Sequence, residues 1–179
     1  ATFQNLPNLE RLEILSVAED RRDYDWCNIY RVMVGFGERK GVIKIDCGLP
    51  SITISNAPWL KRLELNSPVG GIDIREDAVP AEVAVSSVED YLQCTFKNNL
   101  TPGGYSKSAE IDFYVGDELA RNLEIPAGSD IKPLVFSGMT FDKVTFLDGE
   151  GKTSVGEYAF AYDTRLRELE FAGGISSLG

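Results

Sequence analysis

The chain has 179 residues and carries 18 basic against 28 acidic side chains, a net charge of −10. That balance disfavours a nucleic-acid surface, whose affinity rests on Lys and Arg neutralising phosphates. Histidine is absent, which excludes Ser-His and Cys-His catalysis and every His-ligated metal site.

The first segment places apolar residues at Phe3, Leu9, Leu12 and Ile14, in steps of six, three and two. In Leu12-x-Ile14 the period of two turns both side chains to one face of a strand and Glu13 to the other. Residues 16–48 interrupt this pattern. Glu19, Asp20, Asp23 and Asp25 lack the spacing of a calcium loop. With Arg21 and Arg22 among them they read as a solvated loop, and Tyr24, Trp26 and Tyr30 as packing residues. Gly35-Phe-Gly37 and Gly41 do not complete a dinucleotide fingerprint. The runs Tyr30–Phe36 and Val42–Asp46 alternate like a β-hairpin about Glu38-Arg-Lys40, although Ile43-Lys-Ile45 also has the spacing of a rung.

The steps return at Ile54, Leu60, Leu63 and Leu65. Residues 66–112 form a second interruption, in which Val83-Ala-Val85 has rung spacing and Asn99-Leu-Thr101 is an isolated glycosylation sequon. Leu123-Glu-Ile125 is a further rung with weaker anchors at Tyr114 and Ala120. Phe136, Phe141, Val144 and Phe146 follow in steps of five, three and two. Gly149-Glu-Gly-Lys-Thr153 resembles the tail of a phosphate-binding loop, but that motif needs glycine where Phe146 stands. The last copy runs Phe160, Leu166, Leu169 and Phe171. Leu178-Gly179 repeats Val155-Gly156, the opening of another unit, and so predicts a fragment of a longer protein or a chain whose ends are capped irregularly. Cys27, Cys47 and Cys94 form no Cys-x-x-Cys pair; they are three thiols, or one disulfide and one thiol. No stretch approaches the roughly 18 apolar residues of a membrane span, and the residues after Ala1 do not read as a targeting peptide.

Rung ends lie 21 residues apart from Ile125 to Phe146 and 25 apart from Phe146 to Phe171, within the 20–29 residues of a leucine-rich repeat. Such units bury their apolar edges only against one another, as a solenoid.

The run Leu123-Glu-Ile-Pro-Ala-Gly-Ser-Asp-Ile131-Lys-Pro-Leu-Val-Phe136, followed by Val155-Gly-Glu-Tyr-Ala-Phe160, resembles the BspA-like leucine-rich repeats of bacterial cell-surface proteins. That unit has an Ile-Gly-x-x-Ala-Phe turn, a cysteine three residues on, and a Leu-x-x-Ile-x-Ile-Pro strand. Ser87–Leu92 through Phe113–Asp117 resembles a segment the family places between repeats. The likeness is closest over 111–179, weaker over 1–14 and 50–65, and least over 15–49. The turn cysteine is replaced by Leu6, Met139 and Asp163, so no cysteine ladder follows.

The resemblance implies a single leucine-rich-repeat solenoid of the α/β repeat type over 1–179. Short parallel strands would form one face, turns and short irregular or helical pieces the other, with a β-hairpin insertion in the first interruption. It also implies a non-catalytic binding or adhesion module, extracellular or at a bacterial cell surface. Its partner would be a protein or glycan of a host or neighbouring cell, with no cofactor and no metal. A structural spacer and a carboxylate-based hydrolase are the alternatives.

The expected binding face is the outward side of the rungs. Its central positions are Glu13, Glu64, Glu124, Thr145 and Glu170, flanked by Arg11, Arg62, Asn122, Lys143 and Glu168. A bare column of glutamates at strand spacing would repel itself, and the neighbouring cations offset that. Three basic and five acidic residues make the expected face mixed in charge, at −2.

Overall fold

The computed structural model describes residues 41–46, 48–54, 57, 60–74, 78–97 and 110–179 in full, with the backbone alone of 11–14, 32–33 and 55. The chain winds as a parallel-strand β-solenoid of about six turns with almost no helix. In the first half, β1 (Arg11–Ile14), β3 (Gly41–Ile45), β5 (Leu60–Leu65), β7 (Glu82–Val85) and β8 (Asp112–Val115) stack in parallel. Between them the chain crosses to a second parallel sheet of β2 (Val32–Met33), β4 (Ile52–Ser55) and β6 (Ile72–Ile74). The second half repeats the plan. There β10 (Asn122–Ile125), β12 (Lys143–Phe146) and β14 (Glu168–Phe171) form one sheet, and β11 (Asp130–Ile131), β13 (Thr153–Val155) and β15 (Ile175–Leu178) the other. Among the described residues the one α-helix is α1 (Val88–Leu92), capped where the Ser87 hydroxyl accepts the Asp90 N–H at 3.1 Å.

Register follows the apolar-x-apolar grammar. Ile43, Leu63, Val83 and Phe113 are successive partners in one row, and Ile45, Leu65, Val85 and Val115 in the next. All but Val115 are almost wholly buried. Each such side chain contributes roughly 1.5–3 kcal/mol of burial, and the rung above and the rung below supply most of its cover. Val42 stands opposite Arg62, and Arg62 opposite Glu82, so a turn here takes 20 residues. Ile43-Lys-Ile45 and Val83-Ala-Val85 are therefore rungs of the main stack. The turns repeat as well: Leu134 and Tyr158, matching positions of successive units, both hold a left-handed backbone (φ 66 and 58). Gly156 follows the Ile131–Val155 row, where an added Cβ would lie 2.6 Å from the Pro133 nitrogen. Gly179 follows Leu178 in that row and meets the Glu157 nitrogen equally closely; only glycine admits such an approach.

The expected hairpin of Tyr30–Phe36 with Val42–Asp46 does not form. Both edges of β3 are occupied in parallel, by β1 and β5, while β2 lies in the other sheet against β4. Alternation marked these strands but carried no information about their partners. A hairpin does occur later: β9 (Glu118–Leu119) folds back antiparallel on β8. Gly116, at φ 61, takes the first of its two turn positions.

That hairpin occupies the edge where the next parallel strand would add, so the main sheet restarts at β10. An aromatic junction carries the core across. The Tyr91 ring lies 5.0 Å from Phe113 and 5.4 Å from Phe136, and Phe136 lies 5.7 Å from Phe141. Tyr91 is fully buried, and its hydroxyl donates to the Val135 carbonyl at 2.6 Å. Ile111 bridges Met139 through the Ile111 N–H to Gly138 (3.0 Å) and the Thr140 N–H to Ile111 (3.1 Å).

The residues at the turn-cysteine position differ in kind. Met139 is a buried apolar filler. Asp163 is half-buried and accepts N–H bonds from Phe141, Arg165 and Leu166 at 3.0, 3.0 and 3.1 Å. Burial raises its carboxyl above the usual aspartate value, against the lowering effect of those three donors. Cys94 is a free buried thiol. Cys27, Cys47, the Glu19–Asp25 acidic cluster and the Asn99 sequon lie outside the described residues.

Removing the Tyr91 hydroxyl should loosen the junction. Tyr91→Phe leaves the Val135 carbonyl without that donor, so urea unfolding should show a loss of about 1–3 kcal/mol. Phe136→Ala should cost more, about 3–5 kcal/mol. Equal stability of Tyr91→Phe and the parent chain would show that the junction does not depend on this bond.

Candidate charged face

The outward positions of the rungs form two ladders, one on each main sheet. On the first, Arg11, Val42, Arg62, Glu82 and Asp112 stand in one column, and Glu13, Lys44, Glu64, Ala84 and Tyr114 in the next. On the second, the columns are Asn122, Lys143, Glu168 and Glu124, Thr145, Glu170. The nine expected face residues are thus divided: Arg11, Glu13, Arg62 and Glu64 lie on the first sheet, Glu124, Lys143, Thr145, Glu168 and Glu170 on the second. Arg11 and Glu13 are placed by register alone.

Arg62 is the centre of the first ladder. Its Nε donates to Glu64 at 3.0 Å and its Nη1 to Glu82 at 2.9 Å. Its guanidinium carbon sits 4.8 Å from the centroid of the Tyr114 ring, a cation–π distance. Partial burial opposes the charge, but the bonds to Glu82 and Glu64 outweigh it, so the guanidinium is held more firmly protonated than usual. Tyr114, expected as an inward anchor, occupies an outward position; Phe113 takes the inward one, at 1% exposure.

Lys143 plays the equivalent part on the second ladder, with Nζ 2.9 Å from Glu168 and 2.6 Å from Glu170. Hydrogen bonds to Glu170 and Glu168 raise its pKa well above the usual lysine value. The bond from Lys143, with its charge, holds the Glu170 carboxyl below the usual 4.5. Arg121, immediately before β10, reaches back to the first ladder: Nη2 pairs with Asp112 at 2.8 Å and Nη1 donates to the Thr140 carbonyl at 2.7 Å. The Thr140 hydroxyl in turn donates to Asp112 at 2.8 Å.

Lys44 changes the reading of the acidic column. It stands between Glu13 and Glu64, so the sign alternates along the strand stack, and its ammonium also pairs with Asp46 at 2.7 Å. Lys44, Glu82 and Asp112 were missed as face residues because they fall inside the two interruptions, and Tyr114 because it was expected as an inward anchor. The signal was present in Ile43-Lys-Ile45 and Val83-Ala-Val85, whose middle residues point outward as in every other rung. The Gly149–Thr153 run forms an exposed turn leading into β13, with Thr153 buried.

Chemically the face offers paired acids and bases, one arginine-capped aromatic ring, and no histidine. Among the described residues no group of three His, Cys, Asp or Glu is placed to hold a metal ion. Among them, too, no helix is long and apolar enough to cross a membrane. Comparison with protein-family models, curated proteins and solved structures finds no match.

The Lys143 bridge makes a pH prediction. A carboxyl whose folded pKa is depressed contributes stability that is present above its unfolded value near 4.5 and is lost as pH falls through the folded one. Lys143→Gln should move the Glu170 titration midpoint, followed by side-chain carboxyl NMR, up towards 4.5. An unchanged midpoint would show that this ion pair does not persist in solution, as many exposed pairs do not.

Proposed function

We propose that this chain is a non-catalytic binding module of the leucine-rich-repeat kind, similar to the BspA-like proteins of bacterial surfaces. It would act extracellularly, with the rung face as its contact surface and a protein or glycan of a host or neighbouring cell as its partner. The observation that carries this reading is the ladder itself. In-register parallel strands hold ten outward positions in two adjoining columns on the first sheet and six on the second, and Arg121, immediately before β10, pairs with Asp112 of the first. A rigid strand face positions side chains more accurately than a loop does, and mixed charge favours specificity over bulk attraction. Tyr114 beneath Arg62 adds a rigid aromatic surface of the kind that dominates interface energetics.

One observation favours a structural spacer instead. Arg62 is satisfied by Glu64 and Glu82, and Lys143 by Glu168 and Glu170, so the ladder neutralises much of its own charge. A spacer needs nothing more from it.

Charge reversal separates the two. Arrays of extracellular-matrix proteins and cell-surface glycans should show at least one ligand for the intact chain, weakened by high salt. Reversing Glu13, Glu64 and Glu170 to Lys should cut that signal at least tenfold while circular dichroism shows the fold retained. No ligand on any array, or a signal indifferent to the reversal, removes the binding reading and leaves the spacer.

A further inference from the structure

On the outer side of the first sheet the charged columns give way, around β7 and β8, to apolar surface. The outward residue of β7 between Glu64 and Tyr114 is Ala84. Arg62 from β5 and Tyr114 from β8 meet over it, with the guanidinium carbon 4.8 Å from the ring centroid, and Ala84 is only 4% exposed. On its far side Tyr114 stands opposite Leu119 of β9, which is 39% exposed. Directly opposed residues of an antiparallel pair share a face, so Tyr114 and Leu119 form one apolar strip beside Arg62.

The polar groups along this strip are only half used. Arg62 donates from Nε to Glu64 and from Nη1 to Glu82 Oε2, and among the described residues its Nη2 makes no hydrogen bond. Among them, too, Glu82 accepts through Oε2 alone. A guanidinium nitrogen only donates and a carboxylate oxygen only accepts. An open donor and an open acceptor therefore lie side by side at one ion pair, next to an aromatic ring.

Resting on the binding reading above, we propose that this surface takes an uncharged pyranose ring of a cell-surface glycan. A hydroxyl both donates and accepts. One sugar hydroxyl accepts from Arg62 Nη2 while its neighbour donates to Glu82 Oε1, and the C–H face of the ring lies on Tyr114 and Leu119. Charge narrows the ligand further. Arg62 with Glu64 and Glu82 sums to −1, and Arg121 with Asp112 to zero. A sulfate, sialate or uronate would meet that surplus of acid, and a lone cation would leave Nη2 without an acceptor. Salt weakens such a complex through the ion pairs that hold Arg62 in place rather than through the ligand.

Binding of the full chain to immobilised neutral, sialylated and sulfated oligosaccharides tests this, with extracellular-matrix proteins alongside. Neutral glycans should bind, and their sialylated or sulfated forms no better. Arg62→Lys, which keeps the charge but removes Nη2, should weaken binding at least tenfold, as should Tyr114→Ala. Leu119→Ser, at an exposed position, should weaken it at least threefold with the fold intact by circular dichroism. A matrix protein bound where no neutral glycan is would overturn this proposal and leave the binding reading standing, whereas no ligand at all would remove both. Neutral-glycan binding that Arg62→Lys and Leu119→Ser leave unchanged, or binding of anionic glycans alone, would also overturn it.

Discussion

Parallel registration of the apolar-x-apolar strands is the constraint on which the rest of this structure depends. An inward residue such as Leu63 is buried because Ile43 lies on one side of it and Val83 on the other. Ile52, Ile54, Ile72 and Ile74 of the second sheet share that core, and a one-residue slip would turn the whole inward row to solvent and bury the charged one. The same register that buries Leu63 and Leu65 brings Arg62 to Glu82 on the outer side. Core and charged ladder are thus two faces of one pairing rule.

The main stack is interrupted where β9 covers the β8 edge, so that β10 does not pair with β8. Beside the single Ile111–Met139 bridge, aromatic packing carries the core across. Tyr91, Phe113, Phe136 and Phe141 supply the connection, with edge-on and tilted rings whose geometry favours such contacts. The buried Tyr91 hydroxyl is satisfied by the Val135 carbonyl, so this junction combines large apolar area with a single directional bond.

Much of the main stack was legible in the residues alone. Leu63-Glu-Leu65, Leu123-Glu-Ile125 and Val144-Thr-Phe146 announce strands by their period of two, and their spacing announces a repeat. The second sheet was less visible: β6 and β11 span three and two residues, too short for periodicity to register, and that face was expected to hold turns and irregular or helical pieces. Strand partners were not legible either. Tyr30–Phe36 and Val42–Asp46 alternate correctly, yet alternation is the same for a hairpin and for two parallel rungs. The face was half legible. Arg62 and Glu64 were visible from their rung, while Glu82 and Tyr114, which complete that cluster, sit on rungs whose identity only the register establishes.

Amide hydrogen exchange of the intact chain, read strand by strand, tests the stacking account most directly. If inward rows are buried by their neighbours on both sides and the aromatic junction makes one cooperative unit, protection should be highest and nearly equal from β5 through β12, β9 excepted. It should fall at β14 and β15, each of which pairs on one side only among the described residues. Two separate protection levels divided between β8 and β10, or β14 as slow to exchange as β12, would contradict it.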